Sequence, residues 1–82
     1  MFDINTLQTK IMLYVKWWAN TQKTPVPQKK IIKNMVKHGV KSYTALNAIN
    51  SLITKGYIRR AYSEKQNRTY YVMIRNIDRE YN

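Results

Sequence analysis

The side chains of this sequence that can do chemistry are nearly all cations. Fifteen lysines and arginines face four carboxylates in 82 residues, a net charge of +11, and what such a set can do is hold a polyanion. The acids are Asp3, Glu64, Asp78 and Glu80, so the run from Ile4 to Ser63 has none while it carries eleven Lys and Arg. Residues 64–82 add only +1. The charge therefore belongs to the middle of the chain and not to a basic tail. Other chemistry finds little footing. The absence of cysteine excludes a thiolate nucleophile, a disulfide framework and a Cys-type zinc site. His38 is the single histidine and stands beside Gly39 without a nearby carboxylate, so it reads as a turn or phosphate-adjacent residue rather than a general base or ligand. With no glycine-rich phosphate loop and too few acids for a metal cluster, no catalysis, metal or cofactor is expected.

Those cations need elements to position them. An apolar content of 44% with ten aromatics fills a modest core, so a single small folded domain is expected, though at this length its stability is marginal. Repeats and low-complexity tracts are missing. The longest apolar stretch, Ile11 to Val15 and then Trp17-Trp18-Ala19, is shorter than the roughly 20 residues of a membrane span. No small-residue cleavage site follows it, and a soluble, cytoplasmic protein is expected.

Asn5 followed by Gln8 is a capping-box variant. Leu7, Ile11, Tyr14, Val15 and Trp18 recur at helical spacing and predict a first helix over about residues 5–20, with Leu13 and Trp17 on a second, flanking apolar face. Thr24-Pro25-Val26-Pro27 is extended, and Pro27 is suited to open a second helix over about 27–38. Its buried stripe is expected to be Ile31, Ile32, Met35 and Val36. Lys29, Lys30, Lys33 and Lys37 form its solvent side, and Gly39 stops it as a left-handed cap. Ser42 is a natural N-cap for a third helix over about 42–55, with Ala45, Ala48, Ile49 and Leu52 inward and Gly56 as its stop. Tyr57 to Tyr62 and Thr69 to Arg75 then read as strands around a polar turn, Glu64-Lys65-Gln66-Asn67, with Tyr70, Val72 and Ile74 sharing a face. A short third strand near Val26 is a further expectation, and residues 76–82 form a polar end.

Three helices followed by a hairpin, with a tight glycine turn between the second and third, is the layout of a winged helix-turn-helix, a small α+β fold, and the sequence resembles that family. Gly39-Val40-Lys41-Ser42-Tyr43-Thr44-Ala45, continuing to Ala48 and Ile49, looks like its turn and recognition helix. Leu52, Gly56, Tyr57, Ile58, Arg59 and Arg60 look like the entry into the wing of MarR-type regulators. The resemblance covers about residues 5–75. Met35 departs from it, standing where the pattern favours a small residue, with the small Ala48 opposite as the compensating exchange. The long dimerisation helices that flank this unit in MarR-type proteins have no counterpart in so short a chain, so a dimer would be built differently.

The resemblance implies duplex DNA as the partner and the third helix as the reader of its major groove. The side chains able to reach base edges are then Tyr43, Thr44, Asn47, Asn50 and Ser51; an Asn amide pairs with adenine, and no arginine is present for guanine, so A/T-containing sites are expected. Backbone contacts fall to Lys29, Lys30, Lys41, Ser42, Lys55, Arg59 and Arg60, with Lys33 and Lys37 further along helix two. Lys65, Gln66, Asn67 and Arg68 are placed for the minor groove, where Arg68 matches the wing arginine of the MarR-type pattern.

Plainer accounts stand beside these. A lysine-rich helix face is most often merely solvated, and Trp17 and Trp18 suit the core and its rim better than base stacking. Leu13 and Trp17 leave apolar surface on helix one, which marks a homodimer interface. Two other functions fit the same module. One is a replication or recombination factor binding origin or single-stranded DNA, with Tyr57, Tyr62, Tyr70 and Tyr71 stacking on bases. The other is a protein-interaction winged helix that docks on an acidic protein.

Overall fold

The computed structural model describes residues 4–75. In chain order the elements are α1 (Thr6–Gln22), β1 (Val26–Pro27), α2 (Gln28–Lys37), α3 (Ser42–Thr54), β2 (Ile58–Ser63) and β3 (Arg68–Met73). The strands form one antiparallel sheet in the order β1-β3-β2. Residues 76–82, read from sequence as a polar end, lie outside the described residues.

α1 starts where the capping box requires. The Gln8 N–H donates to Asn5 Oδ1 at 2.8 Å, and the Asn5 N–H donates to Gln8 Oε1 at 3.2 Å. The helix runs to Gln22, two residues past the expected end, and Lys23 closes it in the left-handed region at φ 58°. Its buried face is Gln8, Ile11, Met12 and Val15. That face is turned by roughly 60° from the expected one, so Leu7, Tyr14 and Trp18 pack at its edge. Gln8 belongs inside because its polar atoms are already engaged by the cap, a use that hydropathy does not register.

α2 and α3 are joined by a Schellman turn. Gly39 at φ +86° lets its N–H donate to the Val36 carbonyl and the Val40 N–H donate to the Met35 carbonyl, both at 3.0 Å. Gly56 at φ +84° ends α3 by the same pattern, through Ile53 and Leu52. Two helix starts differ from expectation. Pro27 is the extended N-cap of α2 rather than its first turn. Ser42 is the first residue of α3 and not its N-cap: Lys41 occupies that place, its carbonyl accepting the Ala45 N–H at 3.0 Å.

Ile11, Met12, Val15, Val26, Ile31, Met35, Ala45, Ala48, Ile49, Leu52, Tyr57, Ile58 and Tyr71 make up the core. All four inward positions assigned to α3 are in it, and Met35 and Ala48 are both buried as the large-for-small exchange requires. Val36 is not. A helix of ten residues against one neighbouring layer buries a narrow stripe, Ile31 and Met35, and leaves Val36 exposed and Ile32 at the edge.

The short third strand forms, with Val26 opposite Tyr71. In β3 the inward residue is Tyr71, fully buried, and not the Tyr70, Val72 and Ile74 set; Ile74 is 57% exposed. A tyrosine can take this place because its hydroxyl donates to Gln28 Oε1 at 2.7 Å. Burial pushes the Tyr71 phenol above its usual 10.0, and the nearby Arg60 guanidinium moderates the shift. A phenol whose folded-state value is raised stabilises the fold below pH 10 and loses that contribution as pH rises through the folded value. Tyr71→Phe should therefore lower stability by about 1 kcal/mol near neutral pH. In urea titrations the deficit relative to the parent should shrink above pH 10.

Candidate nucleic-acid interface

α3 contains no charged residue between Ser42 and Thr54. With 3.6 residues per turn, Tyr43, Asn47, Asn50 and Thr54 fall on one stripe, directly opposite the buried Ala45, Ala48, Ile49 and Leu52. All four are exposed. Thr44 and Ser51 flank this stripe, Thr44 exposed and Ser51 half-buried. The core contacts thus turn a neutral row of amides and hydroxyls outward, and cations frame it. Lys41 precedes the helix with its Nζ 5.9 Å from the centroid of the Tyr43 ring. At the far end Lys55 Nζ donates to Gln8 Oε1 at 3.3 Å.

The wing is tied to the same helix. Arg60 Nη2 donates to Asn50 Oδ1 at 3.1 Å, so the Asn50 oxygen is engaged while its NH2 group keeps its donors. Arg59 and Arg60 are both exposed, and strand alternation puts them on opposite faces of the hairpin. Beyond them Glu64–Asn67 make the turn, with Asn67 at φ 51°, and Lys65, Gln66, Asn67 and Arg68 are exposed.

Between the start of α2 and the wing lies a concavity of about 740 Å³ in which Lys29, Lys30 and Lys33 meet Asn67 and Arg68. The structure therefore joins most of the helix-two lysines to the wing. Lys37 is at the other end of α2, next to His38, whose Nδ1 lies 2.8 Å from the Asn34 carbonyl oxygen.

Some expected participants are placed elsewhere. Of the four tyrosines proposed to stack on bases, Tyr57 and Tyr71 are wholly buried, and a ring with no free face cannot stack on a base. Tyr57 instead carries the Arg75 guanidinium 4.7 Å over its ring. The other two serve the wing tip: the Tyr62 hydroxyl donates to Asn67 Oδ1 and the Tyr70 hydroxyl to Gln66 Oε1. The bonds from Tyr62, Tyr70 and Arg60, and that from Lys55 to Gln8, were not anticipated. Only the offset of four or five residues across the turn hints at the tyrosine pairs. Leu13 and Trp17 are 49% and 52% exposed and point away from the core-facing side of α1. Among the described residues no group of three or more His, Cys, Asp or Glu could hold a metal ion. No helix of the described residues is long and apolar enough to cross a membrane.

Three helices, a glycine-stopped turn between α2 and α3, and a three-stranded sheet carrying a basic hairpin define a winged helix-turn-helix fold. The chain is similar to the crystal structure of MepR, a transcription regulator of the Staphylococcus aureus multidrug efflux pump MepA. The TM-score is 0.68 at 25% identity, covering 89% of this chain and 49% of that one. The chain thus spans about half the length of the solved protein it matches. No family model and no curated protein matches it.

Gln8 supports two separate features, the helix cap and the Lys55 contact. Gln8→Leu should lower stability by about 1 kcal/mol in urea unfolding, and Lys55→Met, at an exposed position, by less. The reverse ranking would show that Gln8 does not hold these elements together.

Proposed function

We propose that this chain is a sequence-specific duplex DNA-binding protein acting as a small transcription regulator, with α3 in the major groove and the wing in the adjacent minor groove. The observation that carries this is the exposed, uncharged stripe Tyr43, Asn47, Asn50 and Thr54, framed by Lys41 and the Arg59–Arg60 pair, with Glu64 at the wing turn the one acid among the described residues. Its likeness to a transcription regulator supports the same reading. An α-helix fits the major groove, where an amide can pair bidentately with adenine and a threonine or tyrosine can pack on a thymine methyl. Asn47 is the leading reader, with Tyr43, Thr44, Asn50 and Ser51 around it. Lys29, Lys30, Lys33, Lys41, Arg59 and Arg60 hold phosphates, and Arg68 enters the minor groove. Lys55, whose Nζ also donates to Gln8 Oε1, and Ser42 complete the backbone contacts.

The Lys-, Asn-, Ile- and Tyr-rich composition suits an A/T-rich genome, so we assign the protein to the cytoplasm of a low-G+C bacterium, or to a phage or plasmid it carries. Two copies would pair through the α1 face of Leu13 and Trp17. A monomer at high concentration in sedimentation would exclude that pairing.

Selection from a random duplex library, repeated with single strands, tests the function. Duplex sites containing A·T pairs should emerge, and enrichment of single strands alone would overturn the proposal. On the selected site, binding should weaken with salt at a log-log slope of about −5, matching five or six phosphate contacts. Asn47→Ala should cost about 1–3 kcal/mol and relax sequence preference; Lys41→Ala should weaken binding to all sequences and reduce the slope by about one unit. Unchanged specificity in Asn47→Ala would show that α3 is not the reading helix.

A further inference from the structure

The wing tip has an ordered polarity. Its two amides, Gln66 and Asn67, are each held at the carbonyl oxygen by a tyrosine hydroxyl, Tyr70 for Gln66 and Tyr62 for Asn67. The strand register sets Tyr62 opposite Thr69 and Tyr70 opposite Ala61, so the two tyrosines rise from opposite faces of the hairpin. The turn is fixed beneath them: the Asn67 N–H donates to the Glu64 carbonyl at 3.3 Å, and the Gln66 N–H donates to Ser63 Oγ at 3.3 Å.

An amide has one acceptor oxygen and one NH2 group with two donors. With both oxygens engaged, Gln66 and Asn67 have donors left to offer. Their neighbours Lys65 and Arg68 have donors only. Gln66 and Asn67 therefore turn their NH2 donors outward between the cations Lys65 and Arg68, all four exposed, and Glu64 at the start of the turn is the one carboxylate beside them. In the minor groove an A·T pair shows only acceptors, adenine N3 and thymine O2, whereas a G·C pair adds the guanine N2 amino donor. A tip whose two amides present their NH2 groups is complementary to the first and meets a donor in the second.

We infer that the wing reads A·T pairs directly in the minor groove, and that Tyr62 and Tyr70 are the positioning residues that set the polarity of its amides. This rests on the duplex-DNA reading above and adds a reader to it. It differs from attraction of Arg68 to a narrow groove, which senses width and does not require the tyrosine hydroxyls.

The test uses the selected duplex with its wing-proximal flank built from A·T, G·C or inosine·C pairs. Inosine lacks the N2 amino group and leaves the major-groove edge as in guanine. The parent protein should bind the A·T and inosine·C flanks alike, about fivefold or more tighter than the G·C flank. Tyr62→Phe/Tyr70→Phe keeps Arg68 but frees both amides to rotate, and its preference should fall below about twofold. Gln66→Glu/Asn67→Asp, which leaves acceptors in place of donors, should lose the preference as well. Arg68→Ala should weaken binding on every flank while keeping the ratio. Thermal unfolding of each variant checks that the fold is retained. The inference is overturned if the double Phe variant keeps the full preference, or if Arg68→Ala alone abolishes it. Binding of the parent without any flank preference overturns it and spares the duplex reading; failure to bind duplex at all overturns both.

Discussion

Tyr71 sits where every layer of the molecule meets. It lies in the central strand, opposite Val26 on one side and Arg60 on the other, and its buried ring ends in a hydroxyl bonded to Gln28 in α2. A large apolar body with one polar tip is what this position needs, since the ring fills the space under the helices while the hydroxyl is satisfied. Through it the hairpin is fixed relative to α2, and Arg60, opposite Tyr71, reaches Asn50 on α3. The angle between α3 and the wing therefore rests on a core tyrosine together with the exposed Arg60–Asn50 bond.

A second constraint is electrostatic. Among the described residues Glu64 is the one acidic side chain, so the lysines and arginines repel one another without much internal relief. The fold separates the jobs. α3 is uncharged, and cations gather at its start, along the wing and in the concavity between the wing and α2. Phosphate contacts hold a protein on DNA without sequence information, while neutral amides and hydroxyls discriminate between bases. In the DNA complex proposed above, segregation of the two kinds of side chain lets affinity and specificity vary independently.

The legible parts of the sequence were those governed by local rules. The Asn5–Gln8 box, the glycine stops at 39 and 56, the inward set of α3 and the polar turn at 64–67 all depend on residues within a few positions of one another. The elements less well read depend on what lies across the fold. α1 is turned toward Met12 and Gln8 because a buried glutamine is tolerated once its cap and Lys55 satisfy it. β3 presents Tyr71 because Gln28 supplies an acceptor 43 residues away. Val36 is exposed because α2 has too few neighbours to cover a wide stripe.

The same division holds for the site. Composition and spacing determined by themselves that the excess charge belongs to the folded middle, that α3 carries an uncharged amide and hydroxyl face, and that cysteine chemistry is absent, because these follow from residue identity and helical period alone. Tertiary structure decided which lysines share a surface with the wing, that Lys55 turns back to Gln8, that Tyr57 and Tyr71 are core, and that Tyr62 and Tyr70 orient the amides at the wing tip. Each of those is a hydrogen bond, a burial event or a shared surface between different strands, helices or turns, and a one-dimensional pattern carries no record of which partner will meet a given side chain.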